Sequence, residues 1–359
     1  MPPRRRPPGA AAVPLTVPAV KLRRPLALVL ETLAALAVGL LLALPAAVFW
    51  LDRNALRVEQ PVLLEIQPGE SISHAAYRLA QQGHLRPRQA LTAFARLRDA
   101  AAVQAGEYRL EPGLQLTELL DKFNRGDVVR YAVTLVEGSR FTDALEQLRA
   151  HPAVRVTLPE LTPQAVMTAL GEPERHPEGA LFPSTYHFTR GTSALRVLEM
   201  AHTLMQQELA AAWQARAPEL EIDTPEQALV LASIIEKETG AAAERRRIAG
   251  VLHRRLQRGM PLQVDASVIY GIGAAFDGDI RRRDLRTDTP YNTYTRRGLP
   301  PTPICLPGRA ALRAAVDPAP GDSLYFVARG DGTHVFSATL REHNRAVRQY
   351  QLGGQAAGD

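Results

Sequence analysis

The longest apolar run lies near the N-terminus, from Leu26 to Leu51, where only Glu31 and Thr32 interrupt it and the last 19 positions carry no charge. At ~1.5 Å per residue such a helix is long enough to cross a hydrocarbon core, and Gly39 and Pro45 are tolerable within it. A cleaved leader is the rival reading. Against it, the run is longer than a leader's apolar region, and Phe49, Trp50 and Leu51 make a poor cleavage site. Trp50 suits an interfacial anchor. The pattern therefore predicts a membrane-spanning helix over 26–51. Residues 1–25, rich in Pro, Ala and Arg with no periodic apolar face, are expected to be a disordered basic tail.

Beyond the span the pattern shortens to a strand, a turn and a helix, three times over. The strand-and-turn segments are expected over 63–69, 106–113 and 131–138, the first two closed by Pro-Gly. The helical faces that follow are Ile72, Ala75, Ala76 and Leu79, then Leu116, Leu119, Leu120 and Phe123, then a helix from Thr142. Glycine-ended strands feeding short helices make a compact α+β module. Residues 152–223 read as largely helical, broken by a loop from Glu178 to Tyr186. Thr224, Pro225 and Gln227 then mark a helix start. The run Ala228 to Ile235 shows no polar face until Ser233, so this helix is expected to be buried, with Gly240 as its stop. A second helix follows, with Ile248, Val251, Leu252 and Leu256 on one face. Near the end, 323–328 and 334–337 flank Gly330-Asp331-Gly332 as a β-hairpin, and a closing helix runs from about Ala338. The fold class expected is α+β: one transmembrane helix, a small α+β module over 60–130, a larger mixed α+β domain over 131–351, and a disordered tail over 352–359.

Charge changes the picture only when it is located. Six basic residues before the span (Arg4, Arg5, Arg6, Lys21, Arg23, Arg24) account for the whole net charge of +6, since the other 37 basic residues balance the 37 acidic ones. Those six keep the tail in the cytoplasm by the positive-inside rule and place the rest outside. An electrically even folded part argues against a nucleic-acid partner. The Arg-rich pieces 244–247 and 281–284 read as solvated faces. Cys305 is the only cysteine, so neither an internal disulfide nor a thiolate metal site can form. No HExxH, P-loop, GxGxxG or GxSxG occurs; neither a metal nor a cofactor is expected.

The buried helix ends in two carboxylates, Glu236 and Glu238, at the negative end of its dipole, where a carboxyl pKa tends to rise. At about 100° per residue they point in nearly opposite directions and should not share one job. Glu238 lies over Ile234 and Ile235, Glu236 over Ala232 and Ser233, so desolvation should press harder on Glu238. A carboxylic acid kept protonated near neutral pH is what a glycosidic oxygen needs as proton donor; two solvated acids flanking Lys237 are the plainer reading. Around them the chain offers groups that suit a polyol. Tyr186, Tyr270, Tyr291 and Tyr294 can stack on sugar faces, Gln263, Asp265, Asn292 and Thr293 can hydrogen-bond to it, and Ser233 and Glu236 sit on the helix itself.

Several of these stretches together resemble the endolytic murein transglycosylases of the bacterial inner membrane. The matching pieces, in order, are Glu178 to Pro183 (EGALFP), Ala232 to Thr239 (ASIIEKET), Leu262 to Asp265 (LQVD) with Val268 to Gly271 (VIYG), Pro290 to Tyr294 (PYNTY), Gly298 to Pro301 (GLPP), and Leu324 to Ala328 (LYFVA) with Glu342 to Asn344 (EHN). The chain departs from the family's more usual residues at Val264, Ala266, Ser267, Thr302, Cys305 and Leu306. The resemblance implies a single-pass inner-membrane enzyme with a periplasmic catalytic domain behind a small LysM-like module. It also implies that Glu238 is the catalytic glutamate, which agrees with the burial argument. Its substrate would be peptidoglycan glycan strands, cut within the strand at the β-1,4 bond between N-acetylmuramic acid and N-acetylglucosamine to leave 1,6-anhydro ends. Partners would be the lipid bilayer and cell-wall synthases. A hydrolase using Glu238 with Asp265 or Glu236 is the enzymatic alternative; a non-catalytic membrane-anchored glycan binder is the other.

Overall fold

A computed structural model describes residues 24–99 and 103–351; nearly all of the basic tail and the whole of 352–359 lie outside the described residues. The chain is a mixed α+β protein that divides into two compact units, Met1–Asp127 and Val128–Asp359.

The first unit opens on α1, Arg24–Asn54, which is long and apolar enough to cross a membrane. Its apolar side chains are exposed, Leu41 at 75%. The helix outruns the apolar segment because Asp52 finds partners: its carboxylate accepts the Thr117 backbone N–H at 2.9 Å and the Thr117 hydroxyl at 3.1 Å. There follow β1 (Val62–Ile66), α2 (Ile72–Gln81), α3 (Gln89–Leu97), β2 (Gly106–Leu110) and α4 (Leu116–Arg125). β1 and β2 pair antiparallel, Val62 opposite Leu110 and Ile66 opposite Gly106. Alternation turns Leu64 and Ile66 inward, Leu64 opposite Tyr108, whose ring packs edge-on to Phe123. The first two strand-helix repeats thus close on each other.

The third repeat does not join them. In the second unit β3 (Tyr131–Thr134) leads into α5 (Phe141–Ala150), β4 (Val154–Arg155), α6 (Pro163–Ala169), β5 (Thr185–Phe188), β6 (Thr192–Ser193) and α7 (Ala194–Gln214). β3 pairs antiparallel with β5, Val133 opposite Tyr186, and β4 pairs with β6 in parallel. This corrects the expectation of a loop through Tyr186. That residue is a strand position facing inward, and its hydroxyl donates to the Phe182 carbonyl at 2.6 Å.

The remaining elements are α8 (Pro225–Glu238), α9 (Arg245–Gln257), α10 (Asp265–Ile272), a 3-10 turn (Gly273–Ala275), α11 (Arg282–Arg286), α12 (Arg309–Val316), the hairpin β7 (Tyr325–Ala328) and β8 (His334–Ser337), and α13 (Leu340–Tyr350). α8 is central: α7, α9, α10 and α12 all pack on it, and every residue from Ala228 to Ile235 is buried. A helix enclosed on all sides needs no polar face. Thr224 caps it by accepting the Gln227 N–H at 3.2 Å, with Pro225 at the first position. Its stop is Thr239 rather than Gly240: Thr239 is extended (φ −150°), and its hydroxyl accepts the Ala241 N–H at 2.9 Å.

Candidate active site

Glu238 is the last residue of α8, and it opens into a cleft of about 470 Å³. α9 contributes Arg255 to the walls; the loop before α10 and that helix's first residue contribute Gln263 and Asp265. Tyr294 comes from the loop after α11, Phe326 and His334 from the hairpin, and His343 from α13. Burial pushes the Glu238 carboxyl up to about 7; the charge of Asp265 pushes the same way and that of Arg255 opposes it. It is therefore a carboxylic acid with a proton to give near neutral pH.

Arg255 holds the walls together. Its buried guanidinium donates to the Leu324 carbonyl at 2.7 Å, to those of Pro261 and Leu262 at 3.1 and 2.9 Å, and to Gln263 Oε1 at 3.2 Å. One side chain on the last turn of α9 thereby fixes both the hairpin and the loop entering α10. That loop contains a strained residue, Gln263, whose φ of +53° is uncommon for any residue but glycine. Asp265 Oδ1 accepts the Tyr294 hydroxyl at 2.5 Å. The hairpin is pinned again where His334 donates its N–H to Glu244 Oε1 at 3.0 Å and sets its ring Nδ1 2.7 Å from Oε2. Burial alone would raise the Glu244 pKa, but these bonds lower it. Glu244 is thus a buried anchor, not part of a solvated face. His343 stacks on Tyr325 with ring centroids 5.2 Å apart; burial first, and then Arg255, lower its pKa and favour the neutral ring.

The other candidates lie elsewhere. Glu236 turns away, its Oε2 accepting the Gly308 N–H at 2.8 Å, with Arg245 at 3.8 Å from Oε1; burial, then Glu137, raise its pKa. Ser233 is fully buried, donating to the Val230 carbonyl and accepting from Ile304 N–H. Asn292 is spent on the loop: its amide donates to the carbonyls of Asp284, Leu285 and Thr287 while its Oδ1 accepts from Tyr294 N–H. Thr293 accepts from Val264 N–H at 2.9 Å. Tyr291 pairs its hydroxyl with Thr302, and its ring packs on Tyr270 at 4.9 Å. Tyr270 donates to Glu178 Oε2 at 3.2 Å. Of the residues singled out in the sequence, Glu238, Gln263, Asp265 and Tyr294 share the cleft, and the others serve the scaffold around it.

The family model described as "YceG-like family" matches residues 64–349, which takes in Glu238 and every wall residue of the cleft named above. The chain belongs to the YceG-like family. Among its relatives, an endolytic murein transglycosylase of Bacillus subtilis is 29% identical over 80% of this chain and 84% of its own length. A second, from Streptococcus pneumoniae, is 26% identical over 80% of this chain but only 58% of its own, so the chain spans little more than half of that relative. A crystal structure of a YceG-like protein from Listeria monocytogenes superposes with a TM-score of 0.50, at 28% identity, covering 80% of this chain and 99% of that one.

Within this YceG-like chain, residue patterns alone missed Arg255, His334 and His343. Arg255 is one of several arginines on a helix, and nothing local sets it apart. Glu178 was missed too: burial drives its carboxyl to about 7 against the bonds from Phe141 N–H and Tyr270. Glu178 and His343 do fall inside the motifs EGALFP and EHN, which was the available signal. Gly179 beside it is obligatory, since at φ +78° a Cβ would sit 2.7 Å from Pro303. Among the described residues no group of three or more His, Cys, Asp or Glu could hold a metal ion.

Proposed function

We propose that this protein is an endolytic murein transglycosylase with Glu238 as its acid and base. The observation that carries the reading is the carboxyl of Glu238: it ends a buried helix, faces a cleft, and is held near a pKa of 7. The names of the relatives from Bacillus subtilis and Streptococcus pneumoniae supply the substrate class. Protonated Glu238 gives its proton to the glycosidic oxygen as the bond from that oxygen to C1 of N-acetylmuramic acid breaks. Its carboxylate then takes the proton of the C6 hydroxyl of the same sugar as that oxygen bonds to C1. One carboxyl group returns to its starting state, and the nucleophile, tethered beside C1, has a high effective concentration.

Hydrolysis is the second reading, favoured by the presence of Asp265 in the same cleft, because a water-using glycosidase works with a pair of carboxylates. Digestion of purified murein by the full-length protein separates the two. Anhydro ends, one water lighter than reducing ends, are expected inside the strands. Reducing ends that carry heavy oxygen from labelled water would establish hydrolysis, and an intact polymer would leave only a binder.

The apolar α1 is read as the anchor in the inner membrane, its basic flank in the cytoplasm and the remainder in the periplasm. A reporter after Asp359 should be active only outside the cytoplasm. The arrangement β1, α2, α3, β2 with its strands antiparallel supports a LysM-like reading of the first unit.

A further inference from the structure

The cleft holds two carboxyl groups, and the helices that carry them present opposite ends to it. Glu238 is the last residue of α8, at the helix end where unpaired carbonyls concentrate negative charge. Asp265 is the first residue of α10, at the end where free N–H groups favour a charged carboxylate. Asp265 is also held in place: its Oδ1 accepts the Tyr294 hydroxyl, and Tyr294 is fixed through its own N–H to Asn292.

The titratable and charged groups around Glu238 come from every wall of the cleft: Arg255 on α9, Asp265 on α10, Tyr294 on its loop, His334 on β8 and His343 on α13. Arg255 is engaged by three backbone carbonyls and Gln263, and His334 by Glu244. His343 carries no negative charge. Asp265 is the anionic group left to face a ligand. Breaking a glycosidic bond puts positive charge on C1 and the ring oxygen, and an anion already oriented toward that charge stabilises it without the reorganisation that water needs.

We propose that Asp265, oriented by the Tyr294 hydroxyl, stabilises the positive charge developing at the anomeric carbon while Glu238 supplies the proton, without itself bonding to that carbon. This rests on the transglycosylase reading above. The two carboxyls in this cleft differ in their surroundings: Glu238 is buried at the end of α8, and Asp265, at the start of α10, accepts the Tyr294 hydroxyl. The charge on Asp265 has a second effect, since it helps keep Glu238 protonated.

The test uses full-length protein in detergent on purified murein strands, comparing wild type with Asp265→Asn, Tyr294→Phe and Glu238→Gln. Asp265→Asn should lower kcat by about 10²-fold or more with little change in KM, while the products keep their anhydro ends. It should also move the alkaline limb of the kcat profile to lower pH. Removing the neighbouring charge lowers the Glu238 pKa, so the acid loses its proton sooner as pH rises. Tyr294→Phe should cost less, about 10-fold, because the carboxylate stays but loses its orientation. A wild-type kcat in Asp265→Asn, a loss confined to KM, or an unmoved alkaline limb would each overturn the assignment. Should Asp265→Asn fail to fold, Tyr294→Phe decides alone, and an unchanged kcat there is equally fatal. Full activity in Glu238→Gln is a separate failure, of the acid itself.

Discussion

Two sides of the same helix end behave oppositely. On one side of α8 Glu236 is closed in, its carboxylate tied to Gly308 and approached by Arg245, while the neighbouring Lys237 ammonium donates to the Gly138 carbonyl at 3.3 Å. On the other side, two residues later, Glu238 lines the open cleft, and no backbone hydrogen bond to its carboxyl is seen among the described residues. Both carboxyls feel burial first and both are raised; Glu238, raised to about 7, has room for a ligand beside it. What separates them is what each can touch. The Glu236 carboxylate is held by its neighbours, whereas the Glu238 carboxyl opens into the cleft.

The largest expected effect breaks or keeps that contrast directly. Glu238→Gln should fold and lose about 10² to 10⁴ in kcat, since the amide matches the shape but cannot pass a proton. Glu236→Gln, assayed beside it, should keep most of its turnover. A dead Glu236→Gln with an active Glu238→Gln would reverse the comparison.

A second effect reads the same difference through pH. Glu238 ionises near 4.5 in the unfolded chain and about 7 in the folded one. Between those values the folded protein binds the proton more tightly, so its stability falls as pH rises through that window. Glu238→Gln removes this penalty. It should therefore be more stable than wild type at pH 8, by about 3 kcal/mol, and no more stable at pH 4. Chemical denaturation at both pH values measures it. Wild-type turnover, which needs the protonated acid, should decline above about pH 7.

On the closed side the effect is structural. Glu236→Ala strands the Gly308 N–H and should cost about 1–3 kcal/mol of stability, leaving kcat of the folded fraction near wild type. A fall in kcat without a fall in melting temperature would give Glu236 a chemical role after all. The smallest effect is at the far end of the helix. Thr224→Ala removes the cap on Gln227 N–H and should cost about 1 kcal/mol, with an unmoved pH profile.

α8 was legible in the sequence because its signals are local: a cap, a proline, an apolar run and two acids at the end. The same holds for the strand faces of β1 and β2 and for the terminal hairpin. The pairing of β3 with β5 was not legible, because the partner strand is short and hidden beyond a helical stretch. Among candidate ligands the limit was satisfaction. Ser233, Asn292 and Thr293 are polar groups of the kind that hold sugars, but each is buried and used to complete the backbone around it. Tyr270 and Tyr294 look alike as letters; one braces Glu178 and the other Asp265. Arg255 was invisible because its meaning comes in part from the Leu324 carbonyl, 69 residues later at the entry to the hairpin.

The bonds from Thr117 to Asp52 carry a mechanical consequence. They join the last turn of α1 to the first turn of α4, and directly after α1 Ala55 is fully buried and Leu56 bridges to Leu85. No slack chain separates the apolar helix from the folded unit that follows. The helix is a bracket, not a leash: when it tilts, the first unit tilts with it.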